Sequence, residues 1–392
     1  MASGTINGGV ASITFSSTDN LGVAQSTAAT ISQAITAGTL TPFTYTSGIV
    51  APEPASGAGG VAVFNAPTIG AVFVNGADQY IVVTATGPVS IQGGAAGGTL
   101  LAGNGAPGAA RNVTYTNITP SAGSAVDTII VAGGNNLIQT ATSGGGNYNV
   151  ATGSGNDTIN LLTGNGTINA ATGNNQINLG TGSSSVTSVG FDTITGASVA
   201  GGGTDTVNVT SGQTSINTGF SNFIVNDTSG NPLLVTMGFG VDSITVTGTA
   251  GATVKGIFTS TALGPNSGLV ATDTSTGDSV VAFGNATVTA AGGNDTLVSA
   301  ASSNTLVAGT GNDLLVDSGS ASTTFSFTSG KAGGFDTING FKASDVLSFT
   351  GYGSSPLAVS TPTGTGSTYI LADGTTLTIN GVAVASTQIK TL

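Results

Sequence analysis

The stretch "GNYNVATGSGNDTINLLTGNGTINAATGNNQINLGTGSSSV", residues 146–186, divides into consecutive units of nine. Val150, Ile159, Ile168, Ile177 and Val186 stand nine residues apart, and four residues before each is a glycine: Gly146, Gly155, Gly164, Gly173 and Gly182. Each unit reads as a glycine-led turn followed by a short strand with one inward aliphatic side chain. Five rungs in unbroken register are hard to obtain by chance, even in a chain rich in glycine. Nine residues suffice for one turn and one short strand, so two units make one coil of a flattened parallel solenoid with strands about 4.8 Å apart. A lone rung buries little, and stacking supplies the stability.

A second ladder carries Val288, Leu297, Leu306 and Leu315, with Gly284, Gly293 and Gly311 in the turn position and Ser302 where the fourth glycine would be. Outward from these ladders the chain divides into five segments: a β-rich region at 1–135, a first nonapeptide solenoid at 136–200, a β-rich middle at 201–282, a second nonapeptide roll at 283–345 and a C-terminal β segment at 346–392. One helix is expected near 21–37. Asn20 can cap it, Val23, Thr27, Ile31 and Ile35 recur every four residues, and Gly38 can end it. "PFTYTSGIVAPEPASGAGG" (42–60) reads as a connector. "GFDTITG" (190–196) and "GFDTING" (334–340) each follow one ladder, which suggests an internal duplication. The fold class is all-β, with β-solenoid or β-roll segments, Gly-Asn-Asp turns, flanking β-rich regions and one short N-terminal helix.

Composition narrows function. The 392 residues include 64 Gly, no Cys, no Trp and no His, with 6% charged residues and a formal charge of −12. Such a chain lacks the Lys and Arg that displace counterions from nucleic-acid phosphates, and anionic membranes repel it. Without His or Cys, His-based triads, thiol nucleophiles and His-ligated zinc or iron are excluded. An Asp pair remains able to hydrolyse glycosides, but only 5% of residues are aromatic sugar platforms. The expectation is that the protein is not an enzyme. No apolar run is long enough to span a membrane as a helix, and "MASGTINGGVASITF" (1–15) does not read as an ordinary signal peptide.

The carboxylates are the informative charges. Sixteen of the seventeen acids are Asp, and Asp favours turns and short-range ligation where Glu favours helices. Asp295 and Asp313 lie two nonapeptides apart, one full coil, and so fall on the same edge in adjacent layers. A calcium ion takes oxygen ligands at about 2.3–2.6 Å, so both layers can reach it. Without an ion the two carboxylates repel by roughly 1 kcal/mol in water and up to about 4 at an effective dielectric of 20. Asp127, Asp205 and Asp242, each preceding Thr or Ser and an aliphatic residue, read instead as turn caps.

"AAGGNDTLV" (290–298), "AGTGNDLLV" (308–316) and "TGSGNDTIN" (152–160) resemble the glycine- and aspartate-rich nonapeptide of the repeats-in-toxin (RTX, hemolysin-type calcium-binding) family. The resemblance implies calcium as the cofactor. By position it makes Asp295 and Asp313 side-chain ligands and places Gly293, Asn294, Gly311 and Asn312 in the carbonyl-bearing turns. Asp157 has Gln139 two nonapeptides before it and Asn175 two after, a degenerate site. Asp336 in "GFDTI" resembles the aspartate that closes the family's last calcium site, and equally suits a plain turn. "YILADGTTLTINGVAVASTQIKTL" (369–392) resembles the C-terminal ends of family members exported by type I secretion machinery without an N-terminal signal.

The resemblance and the uncharged, repetitive sequence together imply a secreted bacterial surface protein that assembles with itself as a surface layer, filament or biofilm matrix, stabilised by calcium. The alternative is an adhesin or module binding a cell-surface polysaccharide. More remote readings are a polysaccharide hydrolase with an Asp pair and an ice-binding solenoid.

Overall fold

The computed structural model of the chain describes residues 2–6, 11–15, 21–45, 59–64, 69–74, 78–84, 87–93, 97–103, 112–117, 125–140, 145–238, 242–246, 252–256, 269–273, 279–282, 286–290, 292–300, 303–354, 356–357, 360–363 and 366–392. The fold is nearly all parallel β, a β-solenoid, with one short α-helix among the described residues, Leu21–Thr36. Contacts divide the chain into two units, Met1–Thr206 and Val207–Leu392.

In the first unit the chain alternates between two parallel stacks. One contains Leu40–Tyr45, Gly59–Phe64, Asp78–Val83, Thr99–Ala102, Val126–Val131, Asn147–Thr152, Asn165–Ala170 and Ser185–Ser188, each paired with the next. The other contains Ile69–Val74, Val89–Gly93, Val113–Thr116, Leu137–Gln139, Thr158–Asn160, Gln176–Asn178 and Thr193–Thr195. The nine-residue ladder steps between the two stacks, and Val150, Ile159, Ile168, Ile177 and Val186 are all buried. Ala2–Ile6 and Ala11–Phe15 form a separate antiparallel hairpin.

The second unit repeats the plan. Asn222–Asp227, Asp242–Val246, Leu269–Asp273, Thr287–Thr289, Thr305–Val307, Thr324–Thr328, Val346–Thr350 and Ile389–Thr391 form one stack. Ser215–Asn217, Leu233–Met237, Ala252–Gly256, Ser279–Ala282, Thr296–Ser299, Leu314–Asp317, Phe335–Phe341 and Thr376–Gly381 form the other. Antiparallel strands Ser360–Thr363 and Gly366–Ile370 extend the second stack beyond Thr376–Gly381. Towards this end the core turns aromatic, with Phe327 and Phe349 stacked at 5.6 Å and Tyr352 edge-on to Phe349 at 5.8 Å.

The solenoid is more extensive than the two nonapeptide ladders indicate. Parallel coils already run from Leu40 and continue through the middle of the chain. Leu100 pairs with Ile129, and Ile129 with Val150, so each of these coils is longer than two nonapeptides. The extra residues between paired strands erase the nine-residue period while the strand stacking continues.

The helix explains a second pattern. In the first stack Val63, Val82, Leu101, Ile130 and Ala151 form a column facing away from the coil interior, opposite to the column of Ile81, Leu100, Ile129 and Val150. They are nevertheless buried, in one cluster with Ala24, Ala28 and Ile31 of the helix. A 16-residue helix is about 24 Å long, enough to cover this column of about 19 Å. Beyond Ala151 the same column continues as half-exposed Asn169 and Thr187. The buried stripe of the helix is centred on Ala24, Ala28 and Ile31, with Thr27 at its margin; small alanines let the helix axis approach the sheet.

Candidate functional site

The Gly-Asn-Asp turns are the most specific feature of the sequence, and the structure gives each position a role. Glycine leads because the backbones of successive turns nearly touch. A Cβ on Gly311 would lie 1.5 Å from the Gly293 carbonyl oxygen, and one on Gly173 would lie 1.7 Å from that of Gly155. The second residue is exposed, and its side chain accepts an N–H from the next coil. Asn174 N–H donates to Asn156 Oδ1 at 3.0 Å, Asn156 N–H to Asn135 Oδ1 at 2.8 Å, and Asn312 N–H to Asn294 Oδ1 at 3.1 Å.

The third residue points inward and is buried, and it accepts in the opposite sense, from the preceding coil. Asn136 N–H donates to Asp157 Oδ1 at 2.8 Å, Asp157 N–H to Asn175 Oδ1 at 3.0 Å, and Asn175 N–H to Asp192 Oδ1 at 3.2 Å. In the second unit Asp295 N–H donates to Asp313 Oδ1 at 3.1 Å and Asp313 N–H to Asp336 Oδ1 at 3.0 Å. Asp127, Asp205 and Asp242 act similarly, accepting from Gly97, Ser184 and Phe223. They are turn caps, as their sequence context indicates, but they cap the neighbouring coil rather than their own strand.

Asp295 and Asp313 therefore meet on one edge, in adjacent coils, at 1% and 2% exposure. Asp336 joins them from the following coil. Asp157 lies in the other unit, where its coil neighbour is Asn136 rather than Gln139 because that coil is longer than two nonapeptides. Gly293 and Gly311 pair in a short parallel ladder, and Asn294 and Asn312 face solvent beside it.

This donor set does not fit calcium as it stands. Calcium takes six to eight oxygens. Both oxygens of Asp313 already face N–H donors, Oδ1 that of Asp295 and Oδ2 that of Gly309 at 2.9 Å. Those amide hydrogens compete with a cation at Asp313, while the buried Asp336 Oδ2 has no hydrogen-bond partner among the described residues. Among the described residues no three His, Cys, Asp or Glu side chains converge as a metal-binding group. Calcium loaded through Asp313 would compete with these N–H groups.

Burial sets the electrostatics. Desolvation pushes the Asp336 carboxyl up to about 7, aided by the nearby charges of Asp313 and Asp373. It pushes Asp157 and Asp242 up to about 6 against the opposing hydrogen bonds of Asn136 and of Thr218 and Phe223. Asp317 has a cation instead, with Lys342 Nζ 2.6 Å from Oδ2.

Two residues stand out that the sequence pattern leaves unassigned. In "GFDTITG" and "GFDTING" a phenylalanine takes the place of the exposed Asn, while Asp192 and Asp336 keep the inward position. Phe335 N–H still caps Asn312 Oδ1 at 2.8 Å, and Phe191 N–H bonds the Gly173 carbonyl at 2.7 Å. The two residues are 60% and 69% exposed, for Phe191 and Phe335 respectively. The signal was present in the two heptapeptides, since an aromatic in a turn position that favours Asn serves no local purpose.

No family model matches the chain, and no curated protein is significantly similar to it.

Proposed function

We propose that the protein is an extracellular structural solenoid of a bacterial surface that associates with copies of itself through its turn edges. The observation that carries this reading is the pair of exposed phenylalanines, Phe191 and Phe335, at equivalent places in two repeated heptapeptides. The coil does not need them there, because Asn supplies the ladder bond that Phe forfeits. A single exposed aromatic is ordinary, but one recurring at the same place in two repeats is a natural anchor for a contact. The low charge, −12 over 392 residues, leaves the sheet faces without the dense charge that keeps surfaces apart. The likeness of the C-terminal segment to type I-exported proteins supports the extracellular setting, and the family resemblance supports the structural role.

Burying one phenylalanine contributes about 1.5–3 kcal/mol, so removing one should weaken association about ten- to hundredfold. Sedimentation velocity of the full chain should show concentration-dependent assembly, and the F191S/F335S double variant should remain monomeric at concentrations where the parent assembles. A parent that stays monomeric at high concentration refutes the proposal.

A further inference from the structure

In the first unit a groove of about 550 Å³ runs across successive coils, and its two walls differ in how their polar groups are used. One wall is the column Asn147, Asn165, Ser183 and Thr204. Asn165 Nδ2 donates to Asn147 Oδ1 at 3.2 Å, Ser183 N–H to Asn165 Oδ1 at 2.8 Å and Thr204 N–H to Ser183 Oγ at 3.0 Å. That wall is committed to holding coils together. The opposite wall is Asn149, Thr167 and Ser185, which the strand register aligns coil above coil. Their side chains make no hydrogen bond with any described residue. Gly166, which also lines the groove, faces the coil interior, where a Cβ would collide with Leu161.

We infer that this groove binds a linear, neutral polysaccharide laid along the stacking direction. The free wall offers an amide and two hydroxyls, groups that both donate and accept and so match sugar hydroxyls. They recur at the coil spacing of about 4.8 Å, so an extended polymer meets an equivalent group at each coil whereas a single sugar meets one. No Asp, Glu, Lys or Arg lines the groove, so it offers a charged polymer no ionic partner. The site stands apart from the phenylalanine edges, so it does not depend on self-association.

Calorimetric titration of the full chain with cellohexaose, laminarihexaose, mannohexaose and maltohexaose tests the inference, with the corresponding monosaccharides in parallel. At least one hexasaccharide should bind, at least tenfold more tightly than its monosaccharide. The N149A/T167V/S185A variant should lose tenfold or more in affinity with an unchanged circular-dichroism spectrum. The control T245V, on an outward position of the second unit, should bind as the parent does. If none of the four hexasaccharides binds at millimolar concentration, or the triple variant binds as the parent does, the inference is wrong.

Discussion

A single aspartate shows what holds the coils. Asp313 accepts one N–H from the coil before it and another from Gly309 four residues upstream. At equivalent places Asn136 and Asn175 instead donate Nδ2 to the carbonyls of Ala132 and Ala171, four residues upstream. In these three turns the choice between Asp and Asn follows what residue i−4 presents, an N–H to Asp313 and a carbonyl to Asn136 and Asn175. Asp313→Ala leaves two buried N–H groups without an acceptor and should cost about 2–4 kcal/mol, while Asp313→Asn should cost roughly half as much; urea unfolding measures both. Because Asp313 is occupied by amides, millimolar calcium should move the thermal midpoint by less than about 2 °C, and a larger rise would mean that the turns rearrange around the ion. The raised carboxyls give a signed pH dependence. A group that protonates more readily when folded contributes stability that is complete below its ordinary value near 4 and is lost as pH rises through its folded value. For Asp157 and Asp242 that window is about 4 to 6, and for Asp336 about 4 to 7. Thermal midpoints measured from pH 4 to 8 should fall across it; a rising profile would show that these carboxyls are not buried as described.

Among elements, the helix depends most on what it covers. Its apolar stripe is thin, two alanines and an isoleucine at its centre, and it lies on a column that would otherwise expose Val63, Val82, Leu101 and Ile130. Ile31→Ala should cost about 2–4 kcal/mol and increase binding of a hydrophobic dye, both measurable in one thermal titration. The helix itself was legible from its four-residue recurrence and from Gly38. Its partner was not, because a strand with both faces apolar, such as "VAVF" at 61–64, does not say which face meets the coil interior and which meets a helix. The inward aliphatics of the ladders were legible to the residue, since glycine spacing fixed their register. The aspartates were legible as an edge pair, yet their orientation was not: a spacing of one coil puts two side chains on one edge without saying whether they face solvent or core.

At the scale of each unit, irregular coils are what hid the fold. Where turns hold to the nonapeptide length the solenoid is plain in the sequence. Where a coil is longer, as from Leu100 to Ile129 and from Ile129 to Val150, the same stacking continues with no visible period. Strand pairing tolerates such insertions because loop closure grows costly only slowly with length. The two side-chain ladders also have opposite directions, and the buried one has a temporal meaning. Its acceptor always belongs to the later coil and its amide to the earlier. A ribosome or translocation channel releasing this chain from its first residue would deliver every donor ahead of its acceptor. During such a release water must hold the newest buried-ladder amides until the next turn lands, while the exposed ladder, whose acceptors come first, can close at once.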